Sequence, residues 1–187
     1  MTCIVGITDG KKVIIGCDSQ TTGNDINDIK NIRKDKKIFQ KNNIIFGVTG
    51  SPRFTQILEF MWCFDAIDEG QDEFEYLVKT VVPTAMESLE VNKCSDLNNG
   101  RLTTDSAMLI GIGNRLFCLY SDFQIGESTK NYASIGSGME FALGALTVLE
   151  NMNITNKQKL EQALEVASFH SSTCSGPYHF METKEKQ

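Results

Sequence analysis

The sequence predicts an α+β fold in which two antiparallel sheets face each other and helices cover the outside. Three observations carry that expectation. Apolar runs of strand length fall into groups separated by turn dipeptides. Segments with helical periodicity and cap residues follow each group. The resulting order is strands, two helices, strands, two helices and a last strand, which suits layers stacked on a shared core. The chain has 187 residues, enough for a sizeable core, and no repeat or low-complexity linker divides it. A single domain over residues 1–187 is expected.

The elements follow from local pattern. Residues 3–8 (Cys-Ile-Val-Gly-Ile-Thr) and 12–18 flank Asp9-Gly10, a tight-hairpin signal. Residues 23–37 are polar and rich in Asn and Asp, and read as a loop. Residues 37–39 and 43–49 form a second hairpin around Lys41-Asn42-Asn43. Ser51-Pro52 opens a helix, since serine caps and proline suits the first helical position. Phe54, Ile57, Leu58, Met61 and Trp62 then repeat at helical spacing. The next helix starts at Asp72-Glu73-Phe74-Glu75, a capping-box-like pattern, and runs to about Val91 with Pro83 as a kink or break. Asn98-Asn99-Gly100 is a turn. Residues 106–112 and 115–121 flank Gly113-Asn114, and 133–135 add another strand. Residues 139–149 are helical. Thr155, with Gln158 three residues on, caps a helix through about Phe169. Residues 178–181 make the last strand.

Composition narrows the function. Hydrophobic residues are 41% and charged residues 22% of the chain, ordinary values for a soluble globular protein. The formal net charge of -6 gives no electrostatic reason for nucleic-acid binding. The six cysteines, at 3, 17, 63, 94, 118 and 174, show no Cys-x-x-Cys spacing, so no zinc or dithiol redox site is expected. Cys17, Cys63 and Cys118 sit in apolar runs and read as small buried hydrophobes in a reducing, cytoplasmic setting. His170 and His179 have no partner at metal-ligand spacing, and Gly111-Ile112-Gly113 lacks the third glycine of a dinucleotide fingerprint. No metal and no cofactor are expected. Neither a signal peptide nor a membrane span is expected.

The start of the chain carries the chemistry. Met1-Thr2-Cys3 runs directly into the first strand. Aminopeptidases that remove an initiator methionine act when the next residue is small, as threonine is. A leading threonine holds a hydroxyl nucleophile and its own base, the free α-amine, in one residue. By itself this start is common; it gains weight as one of four features. They are Thr2 leading into the strand, Gly16-Cys17-Asp18-Ser19-Gln20-Thr21-Thr22-Gly23 at the end of the second strand, Ile32-Arg33-Lys34 ahead of Lys37-Ile38-Phe39, and Gly47-Val48-Thr49-Gly50 followed later by Ile135-Gly136-Ser137-Gly138.

In that order and with those spacings the chain resembles proteasome β subunits and HslV-type peptidases, N-terminal-nucleophile hydrolases. It is similar in particular to proteasome-like proteins of bacteria and phages, through Thr2-Cys3-Ile4-Val5-Gly6, Ser121 to Gln124, Gly144-Ala145-Leu146 and Gly176-Pro177. The resemblance implies a four-layer αββα sandwich. It implies Thr2 as nucleophile, Asp18 and Lys34 as its electrostatic partners, Gly50 as oxyanion donor and Ser137 beside the threonine amine. Thr22 and Gly50 would grip an extended peptide. It implies a peptide or unfolded protein as substrate, a homo-oligomeric ring, and an ATP-dependent unfoldase as a possible partner. Where the family often carries an acidic residue and then a serine, this chain reads Ser168-Phe169-His170-Ser171, which leaves Ser171 and Ser175 as candidate substitutes. The loop with Asn24, Asp25, Asn27 and Asp28 is a second departure, one that alters the substrate groove.

The chemistry fits those residue types. A free α-amine titrates near about 7.7–8.0. A neighbouring Lys34 ammonium disfavours a second positive charge and keeps the amine basic. Asp18 holds that lysine by a charge-assisted hydrogen bond. A Gly50 N–H meets the oxyanion, since glycine allows close backbone approach. None of this operates while Met1 is attached, because the amine is then an amide. The expected function is a threonine-type peptidase of proteasome kind. The alternatives are a small-amide amidase on the same scaffold and an inactive, self-assembling ring or structural protein.

Overall fold

The computed structural model describes residues 2–22 and 30–185. Met1 and most of the Asn/Asp-rich loop, including Asn24, Asp25, Asn27 and Asp28, lie outside the described residues. The chain opens with β1 (Cys3–Thr8), β2 (Val13–Cys17), β3 (Gln20–Thr22), β4 (Lys30–Ile32), β5 (Ile38–Lys41) and β6 (Ile44–Val48). Helix α1 (Pro52–Phe60) follows, then α2 (Glu73–Tyr76), a π-helical turn (Leu77–Val81) and α3 (Val82–Val91). The second half holds β7 (Asp96–Asn98), β8 (Arg101–Thr103), β9 (Met108–Ile112), β10 (Arg115–Leu119), β11 (Ile125–Glu127) and β12 (Tyr132–Gly136). It ends with α4 (Met139–Leu149), α5 (Asn156–His170) and β13 (His179–Glu182).

Two antiparallel sheets form the centre. One has the order β12-β1-β2-β13 and the other β11-β10-β9-β6-β5. Between them lies an aliphatic layer that includes Ile4, Val13, Ile15, Ile45, Leu109 and Ile135. The outer face of the first sheet packs on α4 and α5 through residues such as Val5, Ile7, Leu146 and Leu164. The outer face of the second packs on α1 and α3 through Phe46, Phe54, Trp62, Leu89 and Phe117. Three apolar layers thus separate four structural ones, and the architecture is the αββα sandwich. Central strands are buried on both faces, so β1, β2, β6 and β9 read as unbroken apolar runs rather than alternating ones.

Local chemistry explains the joints. Asn42 and Asn43 both take positive φ, 49° and 64°, in the two-residue turn between β5 and β6, a conformation asparagine tolerates better than most residues. Ser51 accepts from the Arg53 N–H and Pro52 opens α1. Asp72 accepts from the Glu75 N–H. Thr155 and Gln158 make a complete capping box on α5. The kink expected at Pro83 is instead a widened turn just before it. The Val82 N–H bonds to the Leu77 carbonyl, and the turn absorbs the donor that proline lacks.

Some elements were not foreseen. The edge strand β11 and the short ribbon β7–β8 are three residues each and largely outside the buried core, so hydrophobic patterning gives little sign of them. Part of the expected loop is β4, which pairs with β3. Cys63, expected to be buried, is exposed because the chain has left α1 there, whereas Trp62 fills the core. Among the described residues no helix is long and apolar enough to cross a membrane.

The two sheets approach closely at glycine. A Cβ at Gly47 would lie 2.5 Å from a methyl of Ile4 and 3.0 Å from one of Ile15, whereas a Cβ at Gly144, on the outside of α4, meets nothing. Gly47→Ala is expected to lower stability by about 1–3 kcal/mol through overpacking. Gly144→Ala is expected to raise it by about 0.5–1 kcal/mol through helix propensity. Urea unfolding of the two variants checks both signs.

Candidate active site

Thr2 immediately precedes β1, an inner strand of its sheet, and is 4% exposed. Its backbone is fixed on both sides. The Thr2 N–H donates to Ser137 Oγ at 3.1 Å. Its carbonyl accepts from the Gly138 N–H at 3.3 Å and from the Ser137 hydroxyl at 3.2 Å. The Gly136-Ser137-Gly138 corner between β12 and α4 makes this grip possible. Gly136 has φ +95°, and a Cβ there would lie 2.3 Å from the Thr2 carbonyl oxygen. Only glycine allows that approach.

Asp18, just beyond β2, anchors the other side. One carboxylate oxygen accepts from the Cys3 N–H at 2.9 Å and from Lys37 Nζ at 2.7 Å. The other accepts from the Gln20 N–H at 3.0 Å and the Ser175 N–H at 3.3 Å. The Asp18 side chain is fully buried and that of Lys37 nearly so, and Lys37 also donates to the Gln20 carbonyl. Because Cys3 N–H and Lys37 share an oxygen, the ammonium is held beside the backbone that carries Thr2.

The expected lysine was Lys34, and the structure corrects this. Lys34 is exposed in the bend between β4 and β5, and Lys37, at the start of β5, is the residue on Asp18. The register is set by strand pairing rather than by counting. Gln20 faces Ile32 across β3–β4, the Arg33 N–H bonds to the Ser19 carbonyl, and the chain spends residues 34–36 turning before it meets β5. The Arg33–Asp35 ion pair lies in this exposed turn, and the guanidinium holds the Asp35 carboxyl below its usual range.

Thr2, Lys37 and Gly50 line a common cleft of about 400 Å³, together with Thr21, Val48, Thr55, Glu59 and Phe60. Gly50 has φ +91°, and a Cβ there would collide with the Ser106 backbone at 2.9 Å, so the position needs glycine. Burial pushes the Glu59 carboxyl up from its ordinary value. Thr22, expected in the groove, pairs with Lys30 at the end of β3, and its neighbour Thr21 lines the cleft.

Sequence reasoning missed Thr173. Its hydroxyl is 2.8 Å from Ser137 Oγ and 2.6 Å from Ser171 Oγ. Ser171 thus lies one hydroxyl away from Ser137, whereas Ser175 reaches Asp18 through its N–H and its own buried hydroxyl has no partner among the described residues. The signal available was the density of small hydroxyl and thiol residues in Ser171-Ser172-Thr173-Cys174-Ser175. Cys3 and Cys174 face each other beside this group; the Cys3 thiol is pushed far up by Cys174 and by burial.

The four-layer sandwich is the fold of proteasome-type subunits. A model of the proteasome subunit family matches residues 1–169, and the chain belongs to that family. It is 28% identical over 169 residues to the ATP-dependent protease subunit HslV of Caldicellulosiruptor saccharolyticus, covering 89% of each chain. Among solved structures, Thiobacillus denitrificans BPH in complex with epoxomicin is similar with a TM-score of 0.82 at 16% identity, over 99% of this chain and 100% of the other. An Anbu (Gly-1) mutant from Hyphomicrobium sp. strain MC1 is similar with a TM-score of 0.70 at 13% identity, over 100% of this chain and 86% of the other. Both structural likenesses are of fold.

The two lysines separate by stability. Lys37→Met strips the cation from a buried carboxylate and is expected to cost about 3 kcal/mol, at the low end for a broken buried pair because three N–H donors remain on Asp18. Lys34→Ala is expected to stay within about 0.5 kcal/mol of the parent. Denaturant midpoints of both variants measure the difference.

Proposed function

We propose that the chain is a threonine-type peptidase whose nucleophile is Thr2, freed by removal of Met1. The observation that carries this reading is the shared carboxylate oxygen of Asp18, which ties Lys37 to the backbone next to Thr2 at the head of a cleft. In the processed chain the nitrogen of Thr2 is a primary amine. The Lys37 ammonium disfavours its protonation, and the neutral amine takes the hydroxyl proton, directly or through one water. The threonine oxygen attacks the scissile carbonyl carbon, and the Gly50 N–H is the donor for the resulting oxyanion. The C–N bond breaks, the leaving amine carries off the proton, and an ester remains on Thr2. Water activated by the same α-amine hydrolyses that ester and restores the hydroxyl.

The substrate class is an extended peptide or unfolded protein laid along the cleft beside β3. The likeness to HslV, an ATP-dependent protease subunit, supports a homo-oligomeric ring in the cytoplasm, with an ATP-dependent unfoldase as a possible partner. Exposed apolar side chains on outer helices, Val91, Val148 and Phe169, are the material for subunit contacts.

Protein purified from its natural host is expected to lack one methionine by intact mass. A peptidyl electrophile that reacts with N-terminal threonine is expected to label Thr2 and to leave Thr2→Ala unlabelled. Peptide turnover is expected to vanish in Thr2→Ala and to persist at a reduced rate in Thr2→Ser. Retention of Met1 in the cell would leave a ring or structural protein in place of the peptidase.

A further inference from the structure

We propose that Thr173 is a positioning residue that anchors Ser137 against the α-amine of Thr2 through a relay of neutral hydroxyls, so that this amine titrates without the pull of a neighbouring carboxylate on that side. The inference rests on the peptidase reading for its catalytic meaning. The geometry is a connected path. The Ser171 N–H bonds to the Ala167 carbonyl and closes α5. Ser171 Oγ receives the Thr173 N–H at 3.3 Å and lies 2.6 Å from Thr173 Oγ1. Thr173 Oγ1 lies 2.8 Å from Ser137 Oγ, which accepts from Thr2 N at 3.1 Å.

The path does a specific job. An amine that acts as a base must aim its lone pair at the hydroxyl it deprotonates, so its N–H bonds must be fixed elsewhere. Ser137 Oγ fixes one of them. Ser137 is itself solvent-exposed, and its hydroxyl also bonds to the Thr2 backbone, so Thr173 is what ties that pair to the segment after α5. Thr173 holds Ser137 in one orientation, and successive hydroxyls polarise one another.

The charges around the amine come from Asp18, Lys37, Cys3 and Cys174, and, along the cleft that Thr2 lines, from Asp35, Lys36 and Glu59. Asp18, beyond β2, is already met by Lys37 and three N–H groups. Lys37, before β5, opposes protonation of the amine. Cys3, on β1, is a thiol held neutral by Cys174 and burial. Cys174, 3.7 Å from Thr173 Oγ1, is held down by bonding to Cys3 and to the Thr173 and Ser171 hydroxyls. Cys174 is therefore the one group on the relay side whose ionisation competes with the proposal, and it enters the test as a control. His170, at the end of α5, stacks on Phe141.

The test uses full-length protein made to begin at Thr2 by cleavage of an N-terminal fusion. The rate of α-amine carbamylation by cyanate against pH gives the amine pKa without requiring turnover, and peptide hydrolysis gives kcat and KM. Thr173→Asp is expected to raise the amine pKa by about 1 and to move the acid limb of the kcat profile to higher pH by the same amount, because a nearby opposite charge favours the protonated amine. Thr173→Ser is expected to match the parent in both measurements. Thr173→Val is expected to lower kcat about tenfold with KM unchanged. Cys174→Ser is expected to leave the amine pKa in place. An unmoved amine pKa in Thr173→Asp overturns the proposal. So does a fall in amine pKa in Cys174→Ser, which would make the thiolate the counter-charge, or a Thr173→Ser variant as impaired as Thr173→Val. Absence of turnover in the parent, with the Asp variant still shifting the amine, defeats the peptidase reading and leaves the relay standing.

Discussion

The arrangement depends on one buried carboxylate. Asp18 collects three backbone N–H groups and one ammonium, drawn from β1, the segment after β2, the segment after α5 and the start of β5. A carboxylate with no side-chain exposure is tolerable only with such a full set of donors. The satisfaction of Asp18 therefore joins both sheets and the chain beyond the last long helix at a single point. Thr2 sits one residue from that point. The requirement that stabilises the fold also fixes the position of Thr2.

The sandwich supplies rigidity in return. Thr2 heads a strand buried on both faces, between an interior aliphatic layer and the packing of α4 and α5. Motions that would displace it must disturb two apolar layers. The cleft, by contrast, is bordered by surface elements: β3, the turn before β5 and the exposed side of α1. Reactive atoms on rigid elements and contact residues on variable ones is the usual division in binding sites built on stable scaffolds.

Much of this was legible in the sequence because the signals are local. Asn42-Asn43, Ser51-Pro52 and Thr155 with Gln158 each specify a joint through their own backbone chemistry, and the buried strands read as apolar runs. Asp18 and Ser137 were legible through resemblance, and the structure bonds Asp18 to the N–H of Cys3, the residue after Thr2, and Ser137 to Thr2 itself. Lys34 failed as the partner of Asp18 because its assignment assumed a loop length, whereas β3–β4 pairing sets where the chain re-enters the sheet. Thr173 was hidden because its importance lies in contacts with Ser137, far away in sequence. Three-residue edge elements such as β11 and β7–β8 were hidden because they are too short to show a pattern.

The bond from Thr2 N to Ser137 has a practical corollary for anyone handling the protein. An affinity handle or fluorescent reporter spliced ahead of Thr2 converts the amine into a peptide link at the centre of the site. Such a fusion keeps the strand and its partners, so it folds and purifies like the parent. On the proposed mechanism such a fusion is inert whatever the native molecule does.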